Sequence, residues 1–250
     1  MTAPDSSLEN TRLSSADLRQ LTLAGCRVAK SSADAMARGI ASGAGVVVEQ
    51  IRNYEEELDT LDRQINEGVT AAIVHVSQSD ARELLACLKL IIELERIGDL
   101  LLSVANRLES VVSSLESQDL KDLAGMATIV CGMLGDVTDA FTRRDVNAAL
   151  RVLRADAELD RLRNMIFVRH VDNPEREPRR EGFHLVFMAQ ALERSGDHAK
   201  NLAEEICHLV SGQSVRHILR ENDRPLEQVY LERMRRSGKK EKLKAANPAT

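Results

Sequence analysis

The stretch IIELERIGDLLLSVA, residues 91–105, returns as AQALERSGDHAKNLA at residues 189–203. The two share Leu, Glu, Arg, Gly, Asp and a later Ala in the same order, and Glu193 follows Glu95 by 98 positions. Upstream, YEEELDTLDRQI (54–65) matches RADAELDRLRNMI (154–166) on an acidic–x–x–Leu–Asp core, with Asp160 following Asp59 by 101 positions. Two constellations at nearly equal spacing imply two homologous units of about 100 residues. Each unit has a leading helix, a helix with the weaker motif and a helix with LER-x-GD.

Outward from these motifs, apolar residues recur at helical spacing over 14–44, 46–76, 80–116, 119–142, 145–170 and 180–211. No proline interrupts the chain from Asp5 to Asn173, and an interior proline would cost a helix about 3 kcal/mol. Aromatic residues are only 2% of the 250, with no Trp, too few for an ordinary sandwich or barrel. Neither a GxGxxG nor a GxxxxGK[ST] string is present, which argues against a nucleotide-binding α/β enzyme. The fold class is therefore all-α: two tandem homologous three-helix bundles. The expected organisation is a flexible arm at 1–13, a first repeat at 14–117, a second at 118–217, and a short amphipathic segment with a basic flexible tail at 218–250. Ser79-Asp80 and Asp145 read as caps of the third and fifth helices, VDNPEREPRREG (171–182) as a loop, and Gly212 as the residue closing the sixth helix.

Net charge is −5, which gives no case for nucleic acid as a partner. The tail from Leu231 to Thr250 nevertheless holds seven Lys or Arg against two Glu. The uninterrupted apolar runs fall far short of the ~20 residues of a membrane span, and the first residues do not resemble a signal peptide. Cys26, Cys87, Cys131 and Cys207 show no CxxC spacing and read as buried free thiols in a reducing compartment.

Both motifs contain an acidic residue followed four positions later by Asp. The pairs are Glu55/Asp59, Glu95/Asp99, Asp156/Asp160 and Glu193/Asp197, and no other acidic-xxx-Asp pair exists in the chain. On a helix such residues project from one face a turn apart, and like charges there destabilise an isolated helix. Carboxylates from two neighbouring helices could instead converge on hard or borderline cations. Gly98 and Gly196 on the same side leave room for an ion or for a close helix approach. Asn201 and His198 extend the second column, where the first has Ser103 and Leu100. The second site is thus expected to be the better furnished. The competing reading is a solvated face on which Arg96 and Arg194 pair with their neighbours. A ferritin-type centre is excluded: Glu181/His184 and Glu205/His208 fall on one helix, with the two histidines about 36 Å apart at ~1.5 Å per residue. GIASGAG (39–45) reads as small-residue helix packing, and no nucleophile–base arrangement stands out.

LERIGD (94–99), LERSGDHAKNLAEE (192–205) and GQSVRH (212–217) resemble the PhoU family, regulators attached to the bacterial phosphate-specific ABC transporter. The resemblance covers roughly residues 14–217. It implies a cytoplasmic, all-α, commonly dimeric protein, peripheral to the membrane only through its partners. It also implies transition-metal clusters at the acidic-xxx-Asp motifs: iron first, with zinc, manganese or magnesium also compatible. That carries over to Glu55, Asp59, Glu95, Asp99, Asp156, Asp160, Glu193 and Asp197, each at a matching position, with Asn201 and His198 as additional ligands. Ser103 and Leu100 depart from the more frequent Asn and His, and Glu55 from the more usual Asp.

The function expected from the resemblance is non-enzymatic: negative regulation of phosphate uptake and phosphate-starvation signalling. The partners would be the transporter ATPase subunit, a sensor histidine kinase and a second copy of the chain. The alternative is a metal-dependent phosphatase or polyphosphate-handling enzyme using the same carboxylates. Against it, the sequence offers no obvious general base and no arginine cluster beside them. A third reading is a structural bundle with solvated acidic faces.

Overall fold

A computed structural model of the chain describes residues 13–42, 48–172 and 179–212. Six helices account for nearly all of them: α1 (Ser15–Ser42), α2 (Val48–Ala72), α3 (Gln78–Val111), α4 (Ser117–Arg143), α5 (Val146–His170) and α6 (Arg180–Ser211). Strands are absent among the described residues. Periodicity predicts α-helix to 76 and 116, but the ends of the second and third helices tighten into 3₁₀ turns at Ile73–His75 and Val112–Ser114. Such turns give the last carbonyls partners where the α pattern stops. The arm at 1–12, Gly43 and Gly45 of GIASGAG, Pro174 and Pro178, residues 213–217 of GQSVRH, and the segment and tail beyond them lie outside the described residues.

Local chemistry sets the helix boundaries. The cap of α3 is Ser77, two residues before the expected Ser79-Asp80. Its Oγ accepts from the Asp80 N–H at 3.2 Å and donates to Asp80 Oδ2 at 2.7 Å. The acid three residues after the cap orients the Ser77 hydroxyl to accept from the Asp80 N–H, so Asp80 lies inside the first turn instead of opening it. Asp145 caps α5 as expected, accepting from the Asn147 N–H at 2.8 Å. Gly212 closes α6 with φ 67° and its N–H bonded to His208 O. This left-handed conformation suits glycine.

Helices α1–α2–α3 pack into one bundle and α4–α5–α6 into another, and the two join along α1 against α4 and α3 against α6. Leu58, Ile91, Leu94, Leu134, Phe141, Leu159 and Leu192 are all fully buried in the common core. The helix α4 is long and apolar enough, as a whole, to cross a membrane. Leu123, Met126, Val130, Leu134 and Val137 on it are buried against the other helices. Cys26, Cys87 and Cys207 are buried thiols and Cys131 is half-buried, all unbridged. Burial pushes the Cys26 thiol up to about 12 and Cys87 up to about 11, which makes both inert as nucleophiles.

Polar ties fix the bundles to each other and close their ends. Arg144, left-handed at φ 55°, donates to both carboxylate oxygens of Glu83. Arg19 donates to Thr142 O at 2.8 Å. The Phe141 ring lies under both guanidiniums, 5.9 Å from that of Arg19 and 5.1 Å from that of Arg144. At the far end of the second bundle, buried Asp119 accepts from Arg169 at 2.8 Å and lies 2.9 Å from His170 Nε2. This joins a carboxylate in the first turn of α4 to the Arg169 guanidinium and the His170 ring in the last turn of α5, where the helix dipoles favour the carboxylate and the guanidinium.

The two glycines of the LER-x-GD motifs do equivalent work. A Cβ on Gly98 would stand 2.8 Å from Leu58 Cδ1 and 3.8 Å from the Glu55 Cα. A Cβ on Gly196 would collide with Leu159 Cδ1. Leu58 and Leu159 are the leucines of the acidic–x–x–Leu–Asp cores, and both are fully buried. Of the two uses the sequence allows, these glycines serve the close helix approach. Gly196→Ala should therefore destabilise the fold by about 1–3 kcal/mol, the usual cost of overpacking, and Gly98→Ala by less. Urea titrations followed by circular dichroism would measure both; unchanged midpoints would mean that the leucines move aside at no cost.

Candidate metal centre

The eight carboxylates divide as the repeat predicts. Glu55 and Asp59 lie on α2 and Glu95 and Asp99 on α3, while Asp156 and Asp160 lie on α5 and Glu193 and Asp197 on α6. In every pair the first residue is half-buried and the second exposed. This follows from the helix seam: the leucine and glycine draw the backbones together, and the residue nearest that contact is partly covered.

The carboxylates of each repeat feel one another. Burial, then Asp59 and Asp99, raise the Glu55 carboxyl above its ordinary value. Burial, then Asp99 and more weakly Asp59, raise Glu95, with Arg96 opposing. Burial, then Asp197, raise Glu193, with Asp160 and Asp156 adding to it and Arg163 opposing. Three glutamates thus resist ionisation, first because they are partly buried and then because of the acids beside them. Among the described residues, no three His, Cys, Asp or Glu side chains close into a tight ligand shell. The chemistry of the donor set nonetheless fits a cation: oxygen-only, anionic, half-covered and mutually repelling.

The cations around the two sets differ. Arg96 lies 3.5 Å from Glu95 and 3.8 Å from Asp99 on its own helix, and is itself mostly exposed. In the second set Lys200 Nζ donates to Asp156 Oδ2. Arg163 stands 3.6 Å from Glu193 and 3.7 Å from Asp160. Burial pulls the Lys200 ammonium down, but its bond to Asp156 and the nearby Asp197 outweigh that and leave it raised. Sequence reasoning missed both Lys200 and Arg163. The available signal was their position three residues after Asp197 and Asp160 on the same helices.

The expected additional ligands turn elsewhere. His198 Nδ1 lies 2.6 Å from Glu93 Oε2, and Asn201 Nδ2 donates to the same oxygen at 3.1 Å. Together with Lys89 Nζ at 3.0 Å from Glu205, these contacts form a polar seam between antiparallel α3 and α6. Glu93, two residues before Glu95, is a partner the motif comparison did not single out. Lys200 and Arg163 thus lie inside the second set and its extra donors turn to Glu93, while the first set meets only the exposed Arg96. The Glu-xx-His pairs both lie on α6 as expected; His208 Nδ1 is 3.8 Å from Glu205.

Fold and site define an all-helical tandem-repeat protein with two acidic seams, each sealed by a leucine on a glycine. The PhoU domain model matches twice, over residues 26–108 and 123–206. The chain belongs to the PhoU family. The phosphate-specific transport system accessory protein PhoU homolog of Pseudomonas aeruginosa is 31% identical over 208 residues, 81% of this chain and 86% of that protein. The homolog of Caulobacter vibrioides is 31% identical over 193 residues, 75% and 84% of the respective chains. The crystal structure of PhoU from Pseudomonas aeruginosa superposes with a TM-score of 0.71 at 25% identity, covering 79% of this chain and 97% of that one. The phosphate transport system regulatory protein PhoU from Streptococcus pneumoniae, at 20% identity, shares the fold with a TM-score of 0.70, over 80% and 96% of the two chains.

The raised glutamates have a consequence for the metal-free protein. A carboxyl whose folded value is raised favours the fold when protonated, and that contribution is lost as pH rises through the folded value. With chelator present, Glu55→Gln combined with Glu95→Gln should raise Tm at pH 7 and low salt. The gain should shrink toward about pH 4, where unfolded glutamate itself titrates. Thermal denaturation across that range checks the sign, and a lowered Tm at pH 7 would show that the ionised carboxylates support the fold.

Proposed function

We propose that this protein is an accessory regulator of phosphate transport that restrains uptake and phosphate-starvation signalling when phosphate is plentiful. In this reading it works in the cytoplasm as a homodimer, linking the ATPase subunit of the phosphate transporter to a membrane sensor histidine kinase. The kinase is thereby held in its non-activating state. The observation that carries the reading is the family match across both repeats, together with relatives named as phosphate-specific transport accessory proteins along most of their length.

Metal is part of the same proposal. Glu55, Asp59, Glu95 and Asp99 would hold cations across α2 and α3, and Asp156, Asp160, Glu193 and Asp197 across α5 and α6. The ions would neutralise the facing carboxylates and fasten the helices of each seam, giving partners fixed surfaces. Iron is the first candidate, then zinc, manganese or magnesium. Relatives named as accessory and regulatory proteins favour this role over phosphatase chemistry.

Deleting the gene should switch on phosphate-starvation genes in high phosphate, read by transcript levels; unchanged expression would sink the regulatory role. Protein purified without a metal-binding tag should carry metal by elemental analysis after dialysis against a weak chelator. Glu95→Ala with Asp99→Ala, and separately Glu193→Ala with Asp197→Ala, should each remove the metal of one repeat. Equal metal in wild type and both variants would exclude these carboxylates as ligands.

A further inference from the structure

The six aromatic residues of the chain include four phenylalanines, and only Phe141 is buried in the core. Two of the others stand one helical turn apart on α6: Phe183, 50% exposed, and Phe187, 56% exposed. Large apolar side chains left open at i and i+4 form a patch that core packing does not explain. Arginines surround it. The Arg107 guanidinium from α3 lies 5.1 Å from the centre of the Phe187 ring. Arg180 comes three residues before Phe183 and Arg194 seven after Phe187, so both fall on the same stripe of α6. None of these three arginines makes an ion pair among the described residues, whereas Arg96, Arg144, Arg151, Arg161, Arg163 and Arg169 all do.

We propose that the exposed stripe Arg180–Phe183–Phe187–Arg194, with Arg107 beside it, is a docking surface for an acidic amphipathic helix of a partner protein. The inference rests on the regulatory reading above and names the chemistry by which one of its partners is held. Charge complementarity selects the occupant. Three guanidiniums without an ion pair among the described residues bracket two apolar anchors, so the fitting segment carries one or two apolar residues a turn apart, flanked by Asp or Glu. A second copy of the chain fits poorly. Among the described residues the helices α1, α2 and α4 expose no large apolar side chain; those of α3, Leu85 and Ile92, share a stripe with Arg82, Lys89 and Arg96, and those of α5, at Met165, Phe167 and Val168, lie beside Arg161 and Arg169. Homotypic docking would therefore set arginine against arginine. An anionic lipid surface presents its charge uniformly and would meet Glu181 and Asp197 as well as the arginines, whereas a protein segment can set its acids opposite the arginines alone.

The test uses the full chain against the purified transporter ATPase subunit and the cytoplasmic region of the kinase, with affinities measured by biolayer interferometry. Phe183→Ser with Phe187→Ser, and separately Arg107→Glu with Arg180→Glu, should each weaken binding to one of these proteins by at least tenfold. Circular dichroism and metal content should stay as in wild type, since these side chains lie outside the core and the carboxylate sets. Arg107→Lys with Arg180→Lys should retain most of the binding. If wild type binds and both variants bind equally well, the docking surface is wrong and the regulatory reading stands. If wild type binds neither protein, the regulatory reading falls and the docking surface with it. A dimer that dissociates in the phenylalanine variant during sedimentation, with partner affinity unchanged, would replace the proposal by a homotypic interface. Loss of binding to vesicles of 30% phosphatidylglycerol in phosphatidylcholine, with partner affinity unchanged, would replace it by a lipid site.

Discussion

The contact on which the site depends is apolar and small: a leucine methyl seated on a glycine. Leu58 over Gly98 sets how near α2 comes to α3, and Leu159 over Gly196 does the same for α5 and α6. Because Glu55 and Asp59 flank Leu58 at one position or three, and Glu95 and Asp99 bracket Gly98, the separation fixed by packing also fixes the separation of the charges. Two helices held apart by a full-sized side chain would leave these acids in water, each with an ordinary proton affinity. Held at the glycine distance, Glu55 and Glu95 are half-covered with Asp59 and Asp99 beside them, and the proton affinity of the two glutamates rises. The hydrophobic contact thus supplies the free energy that an acidic seam would otherwise lack.

Much of this was legible in the sequence because it is periodic. Helix positions followed from the 3.6-residue spacing, the absence of proline and the caps, and the twofold architecture from an offset near 100 residues. Misreadings arose where a boundary depends on hydrogen bonding rather than on hydrophobicity, as at Ser77 and in the two 3₁₀ turns. The carboxylates were visible as a motif, and their side-by-side placement follows from the helix order. Side-chain partners across helices were not visible. No spacing rule pairs His198 with Glu93, 105 positions away, or Lys200 with Asp156, 44 positions away. Such pairs depend on the register between helices, which the amphipathic pattern constrains only to within a turn.

The repeats share a backbone and differ in charge. Equivalent positions carry Leu100 and His198, Leu102 and Lys200, and Ser103 and Asn201. With Arg163 where the first repeat has Asp62, the second seam has an internal ammonium and a nearby guanidinium, while the first has one exposed Arg96. A protein cation beside a carboxylate competes with a metal for it and lowers the charge a metal would meet. The same substitutions direct His198 and Asn201 toward Glu93, strengthening the union of the two bundles along α3 and α6. The second repeat thus places polar groups both in its own seam and at the interface between the repeats.

The exposed surfaces follow the same logic. Position 183 is phenylalanine where the first repeat has Leu85, and position 187 is phenylalanine where the first repeat has Lys89. In the first repeat that lysine is held by Glu205, so the stripe of α3 is closed by an ion pair made within the chain. In the second repeat the equivalent side chain is a ring with an arginine over it, and it offers no such internal partner. One helix of the central pair has thus used its charge to join the repeats, while the other has kept an apolar and cationic face toward solvent. Most buried positions coincide in the two helices. The difference therefore lies in what each face presents to the outside, and a chain with so few aromatic rings has placed two of them there.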